Sequence, residues 1–262
     1  MSLTSLDTPT PLPQVPVSMT MDQALSLSLR LPSNSQNLPS TMPSAFHGML
    51  PFEHSRDTIL TSYRWSAEEE GLLGAAYYVS QAPQSELDKI RLMLDFDMMA
   101  SPNFAFQIYD GDGSAYGLSG PPGSAEAEAA FTQFFVEEMH ENYTQIEFDG
   151  RSDYGPFLEA GVATGGIACG AEAIKTVEEA VMFGGEAGVA YDVNYHAAGD
   201  TVENLNMAAW IVMTKAIAHM TATYARSFDS LPLKAETAKA KRVALESRNA
   251  LNDKAYGKTW GI

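Results

Sequence analysis

Cysteine is all but absent. A single residue, Cys169, stands in a chain of 262, which excludes an intrachain disulfide and leaves the redox compartment unread. Set beside Gly165, Gly166 and Gly170, it reads as a small buried residue. Positive charge is scarce too: 16 Lys and Arg face 33 Asp and Glu, a net charge of −17. That balance argues against nucleic acid and against anionic membrane surfaces, since both need a basic face. No apolar run reaches the length that spans a bilayer, so no membrane helix is expected. Residues 1–20 carry neither a basic start nor a continuous apolar stretch, so a secretory leader is not expected there. Phosphate-cradling Gly-x-x-x-x-Gly-Lys, His-Glu-x-x-His and Gly-x-Ser-x-Gly patterns are all missing. Asp110-Gly111-Asp112-Gly113 begins like a calcium loop, but Ala115 at its sixth position and Pro121 at its twelfth exclude an EF-hand.

What is present divides the chain in three. Residues 1–56 are rich in Ser, Pro, Thr and Leu without a steady period, and are expected to be mostly disordered. Within them Met21–Leu31 suits a short helix stopped by Pro32. Residues 57–232 alternate strand-like and helix-like patterns. Thr58–Trp65, Ile90–Met98, Phe104–Tyr109, Gln145–Phe148 and Val162–Ala168 read as strands. Gly71–Gln81 and Ser124–Glu141 read as helices, and Trp210, Met213, Ile217, Met220 and Tyr224 mark the core face of another. The alternation predicts an α/β fold, a mixed β-sheet flanked by helices on both faces. Residues 233–262 form a basic, Ala-rich tail, with seven Lys and Arg against three Asp and Glu from Lys234 onward.

The densest chemistry lies in Arg64-Trp-Ser-Ala-Glu-Glu-Glu-Gly-Leu-Leu-Gly74, where three carboxylates stand at a strand-to-helix change. Ser66 and Glu69 fit a capping box, and acids favour a helix N-terminus. Two adjacent carboxylates also suit a metal site, one as ligand and one as general base. Asp97, at the end of a buried-looking strand, is unfavourable there unless paired, hydrogen-bonded or bound to a cation. His196 is a ligand by type, though a lone His is more often structural. Arg151 is one of few cations amid much acid and suits either an ion pair or a binding site.

Together with Asp97-Met-Met-Ala-Ser-Pro-Asn103, Gly150-Arg-Ser-Asp-Tyr154, Phe183-Gly-Gly-Glu-Ala-Gly188 and Asn194-Tyr-His196, the Glu run forms an ordered set. In that order the chain resembles the fungal leucine aminopeptidases of the co-catalytic di-zinc metallopeptidases, the aminopeptidase Y-like family, over about residues 58–230. The resemblance implies Glu68 as general base and Glu69 and His196 as ligands of one zinc. It implies Asp97 as a ligand of the other zinc, Tyr195 as a donor to the oxyanion, and Arg151 as a substrate-binding residue. The implied activity is release of N-terminal, apolar residues from peptides, in a family that is secreted or vacuolar.

The family also uses an upstream His-x-Asp, in which Asp bridges the two metals. Here that region holds only His47 and His54, and His54-Ser-Arg-Asp57 has the wrong spacing. The resemblance therefore implies a domain lacking its N-terminal part, with fewer than two zinc ions per chain. The alternative that follows is a truncated, non-catalytic remnant acting at most as a binding module.

Overall fold

The computed structural model describes residues 25–30, as backbone, and 59–232. In chain order the strands are β1 (Leu25–Arg30), β2 (Ile59–Arg64), β3 (Ile90–Phe96), β4 (Gln107–Tyr109), β5 (Thr144–Ile146) and β6 (Thr164–Ala168). The helices are α1 (Leu73–Gln81), α2 (Gln84–Leu87), α3 (Ser124–Gln133), α4 (Tyr154–Glu159), α5 (Val177–Phe183) and α6 (Met207–Arg226). A π-helical turn, Phe134–Met139, continues α3.

One mixed sheet results, in the order β2-β1-β3-β6-β4-β5. Strand β3 runs parallel to β6 and antiparallel to β1; β4 runs antiparallel to β6 and parallel to β5. Successive residues of a strand face opposite sides, and β3 supplies apolar groups to both. Leu92, Leu94 and Phe96 join a cluster with Phe131 of α3 and with Ala209, Met213, Ala216, Met220 and Tyr224 of α6. Met93 joins the other, with Ala75 of α1, Phe157 and Leu158 of α4, Trp65 and Tyr109. Helices thus cover both faces, as the sequence pattern predicts. By the same parity Asp95 and Asp97 belong to the side of Met93.

The helix α3 lies close on β6, because a Cβ at Gly165 would stand 2.8 Å from Ala127 Cβ. Capping fixes two other starts. Thr176 and Glu179 exchange backbone and side-chain hydrogen bonds at α5, and Asn206 Oδ1 accepts from Ala209 N at α6.

Two local expectations change. Leu25–Arg30 is a strand, not part of a helix, and it lies within the segment expected to be disordered. It pairs with β2 on one side and β3 on the other, so backbone pairing on both edges overrides helical propensity. The other residues of 1–58, and the tail 233–262, lie outside the described residues. The α6 core face is Ala209, Met213, Ala216, Met220 and Tyr224, offset from the predicted stripe by one position at Trp210 and at Ile217. Among the described residues no helix is long and apolar enough to cross a membrane.

Candidate active site

The Glu run does not cap a helix. Helix α1 begins at Leu73, after a turn in which Glu68 O accepts from the Gly71 and Leu72 amides, and no side chain caps its start. Gly74 seats this turn: a Cβ there would meet Ser66 O at 2.5 Å. Glu68, Glu69 and Glu70 therefore sit on an irregular bend directly after β2. The capping-box explanation for Glu69 is gone.

Asp97 follows the last residue of β3, and both of its oxygens are held. Oδ1 accepts from Met98 N at 2.7 Å and Oδ2 from Ser152 Oγ at 2.7 Å. His196 and Glu69, far apart in sequence, meet with Nε2 and Oε2 2.5 Å apart. Both side chains are about half exposed, so the pair opens to solvent. The Tyr195 ring stacks on that of His196 with centroids 3.9 Å apart. Arg151 Nη2 lies 2.8 Å from Glu172 Oε1, an ion pair on the exposed rim.

Backbone strain gathers around these residues. Among the described residues five non-glycine residues have positive φ, and four of them flank the site: Ala67 at 57°, Leu72 at 60°, Met98 at 54° and His196 at 55°. Bulky residues hold that conformation only where their surroundings fix it, and such strain clusters at functional sites.

Electrostatics mark the same place. Burial, reinforced by Asp97 and Glu69, pushes the Glu68 carboxyl up to about 8. Burial and Asp95 push Asp97 up to about 7, against the pull of its Ser152 and Met98 hydrogen bonds. Burial, with Asp95 and Asp97, pushes Asp153 up to about 8. Tyr195 is raised to about 12, first by burial, so its hydroxyl keeps its proton near neutrality and can donate it in a hydrogen bond. These mutual influences bring Glu68, Glu69, Asp97, Tyr195 and Arg151 into one neighbourhood.

Sequence reasoning missed Ser152, Asp153 and Asp95. Asp153 is fully buried and neither of its carboxylate oxygens has a hydrogen-bond partner. Its signal was the Gly-Arg-Ser-Asp-Tyr motif, from which only the cation was taken. Other residues of the motifs hold the backbone around the site. Asn103 donates to Glu186 O and accepts from Glu186 N, both at 2.9 Å, which staples the Gly184–Gly188 turn. Gly185, at φ 79°, leaves no space for a Cβ beside Asn103. Asn194 ties the His196 loop to Asn204, which in turn holds Asp192.

Residues 54–221 match the profile of Peptidase family M28. The chain belongs to this family. Among curated M28 relatives, the probable leucine aminopeptidase 2 of Aspergillus fumigatus is 52% identical over 182 residues, covering 70% of this chain and 36% of the relative. Leucine aminopeptidase 2 of Arthroderma otae is 52% identical over 175 residues, covering 67% and 35%. The M28 chain thus spans about a third of the length of the curated relatives it matches. Among solved structures, the zinc aminopeptidase BSAP from Bacillus subtilis aligns at TM-score 0.46 and 18% identity, over 67% of this chain and 40% of that one.

The donors fit a metal in kind. An imidazole nitrogen and a carboxylate oxygen in contact are an N,O pair suited to zinc. Among the described residues no Lys or Arg forms an ion pair with Asp97 or the buried Asp153 beside them. Among the described residues, however, no three side chains here bring ligand atoms together at one point. The M28 chain offers a partial set.

Proposed function

We propose that this chain carries the Glu-Glu/Asp/His part of a zinc aminopeptidase site and acts on peptides with a free N-terminus, releasing apolar residues. The observation that carries this reading is the contact of Glu69 Oε2 with His196 Nε2 at 2.5 Å, with the raised Glu68 carboxyl beside it. Glu69 and His196 would hold one zinc, and Asp97, oriented by Ser152, would offer a ligand to a second. Bound there, zinc supplies Lewis-acid polarisation and a more acidic water.

The chain's own residues account for the remaining roles. Glu68, beside Glu69 on the bend after β2, is placed to take a proton and return it to the departing amine, and its burial favours the protonated carboxyl that results. Tyr195 keeps its hydroxyl proton and donates a hydrogen bond to developing negative charge on the carbonyl oxygen. Arg151, on the rim with Glu172, orients the peptide. The excess of carboxylates favours a substrate's α-ammonium group.

A second reading is supported by the incomplete ligand convergence: a non-catalytic remnant that binds peptide or metal without turnover. The test is hydrolysis of leucine p-nitroanilide by the full chain with added zinc, for wild type and Glu68→Gln. The proposal predicts turnover that falls by roughly 10²–10⁴-fold in Glu68→Gln. Turnover unchanged by that substitution removes Glu68 from its role. Wild-type turnover no higher than zinc alone leaves the remnant reading.

A further inference from the structure

Asp110-Gly-Asp-Gly-Ser114, which the EF-hand pattern rejects, has a second acid supply in the fold. Asp110 directly follows β4, and its amide donates to Ile146 O at 2.9 Å, so its backbone stays fixed to the sheet. Its side chain is fully buried. Oδ2 accepts from Ala115 N at 3.1 Å and Tyr116 N at 2.8 Å. Oδ1 is enclosed and has no hydrogen-bond partner. A buried carboxylate oxygen without a donor is unfavourable unless a cation or a proton meets it.

Two further carboxylates converge on Asp110. Glu128, on α3, is buried, accepts from Asp112 N at 2.9 Å through Oε2, and takes the Gln145 side-chain amide through Oε1. Asp112 is exposed and accepts from Ser114 N at 2.7 Å, which leaves an open side to the cluster. One oxygen from each of Asp110, Asp112 and Glu128 lies within 4.8 Å of the others. Among the described residues no Lys or Arg pairs with any of them. Burial lifts the Glu128 carboxyl above its ordinary range despite its two donors.

We propose that Asp110, Asp112 and Glu128 bind a calcium ion, which fastens the 110–120 loop to α3. The donors are all oxygen, with no His or Cys, which suits a hard cation and disfavours zinc. Oxygens about 2.4 Å from calcium can stand up to about 4.8 Å apart across the ion, so the observed spread fits one coordination shell. The acid that an EF-hand takes from its twelfth loop position comes here from a helix. None of these residues belongs to the Glu68–His196 site.

The experiment uses the full chain, freed of metal by chelation, with radioactive calcium in equilibrium dialysis and melting followed by calorimetry. The expected result is one calcium per chain, with a Kd of roughly 10⁻³ M or tighter. Melting should rise by roughly 5–10 °C at about a hundred times that concentration. Asp112→Asn keeps the Ser114 turn and should weaken binding roughly tenfold or more, as should Glu128→Gln, while Asp97→Asn should keep it. No binding at millimolar calcium, binding that survives both loop variants, or binding lost in Asp97→Asn overturns the proposal.

Discussion

Around Asp97 the carboxylates of Glu68, Asp95 and Asp153 press on one another, and three of the four are pushed up to about 7 or 8. Around Asp110 a similar group of acids is wired to the backbone, with amides of Asp112, Ala115, Tyr116 and the Gln145 side chain as donors. There Asp112 is held below its ordinary range, chiefly by Ser114. The contrast shows two ways of keeping carboxylates in a fold. The loop spreads most of its charge over amides and leaves one enclosed oxygen, Asp110 Oδ1, for a cation. At the site Asp153 has no donor on either oxygen, and the acids raise one another until metal or protons intervene.

The contrast can be broken by removing a donor from the site. Ser152→Ala frees Asp97 Oδ2 and should weaken zinc binding by roughly 10–100-fold, read by competition with a chromogenic chelator. Zinc affinity unchanged in that variant would mean that Asp97 is not a ligand. The same competition on Asp112→Asn should show no change.

A smaller effect separates the clusters by pH. Folding raises Glu68 from 4.5 to about 8, Asp97 from 3.8 to about 7 and Asp153 from 3.8 to about 8. The folded chain therefore binds these protons more tightly than the unfolded one. The stability they contribute is full below about pH 4 and is lost as pH rises through about 7–8. The melting temperature of the metal-free chain should fall by roughly 5 °C or more between about pH 5 and 8.5. Glu68→Gln combined with Asp153→Asn should flatten the profile. A wild-type melting temperature that holds steady or climbs over that range would show that these carboxyls are not raised.

Much of this was legible in the sequence. Apolar residues at both parities of 90–96 foretold a strand buried on both faces, and the three- and four-residue steps of α6 foretold its core face to within one residue. The ordered motifs pointed to Glu68, Glu69, Asp97, Tyr195 and His196, and the fold brings these into one neighbourhood. The strand β1 was not read, although Leu-Ser-Leu-Ser-Leu-Arg alternates with a period of two. Six residues between Ser- and Pro-rich flanks say little until β2 and β3 pair with both edges, and that information is non-local. Ser66 and Glu69 carry a capping pattern that the backbone does not use, since Leu72 turns left-handed before the helix starts. Asp153 and Ser152 stayed hidden for a related reason. Their importance comes from the start of α4 meeting the end of β3, a tertiary contact with no local signature.

The central claim is that Glu69 and His196 form the nucleus of a zinc site. Its most direct test is zinc per chain, by elemental analysis after equilibrium dialysis, for wild type and His196→Ala. The account predicts at least one zinc in the wild type and one fewer in His196→Ala. No zinc in the wild type, or a count unchanged by the loss of His196, would contradict it.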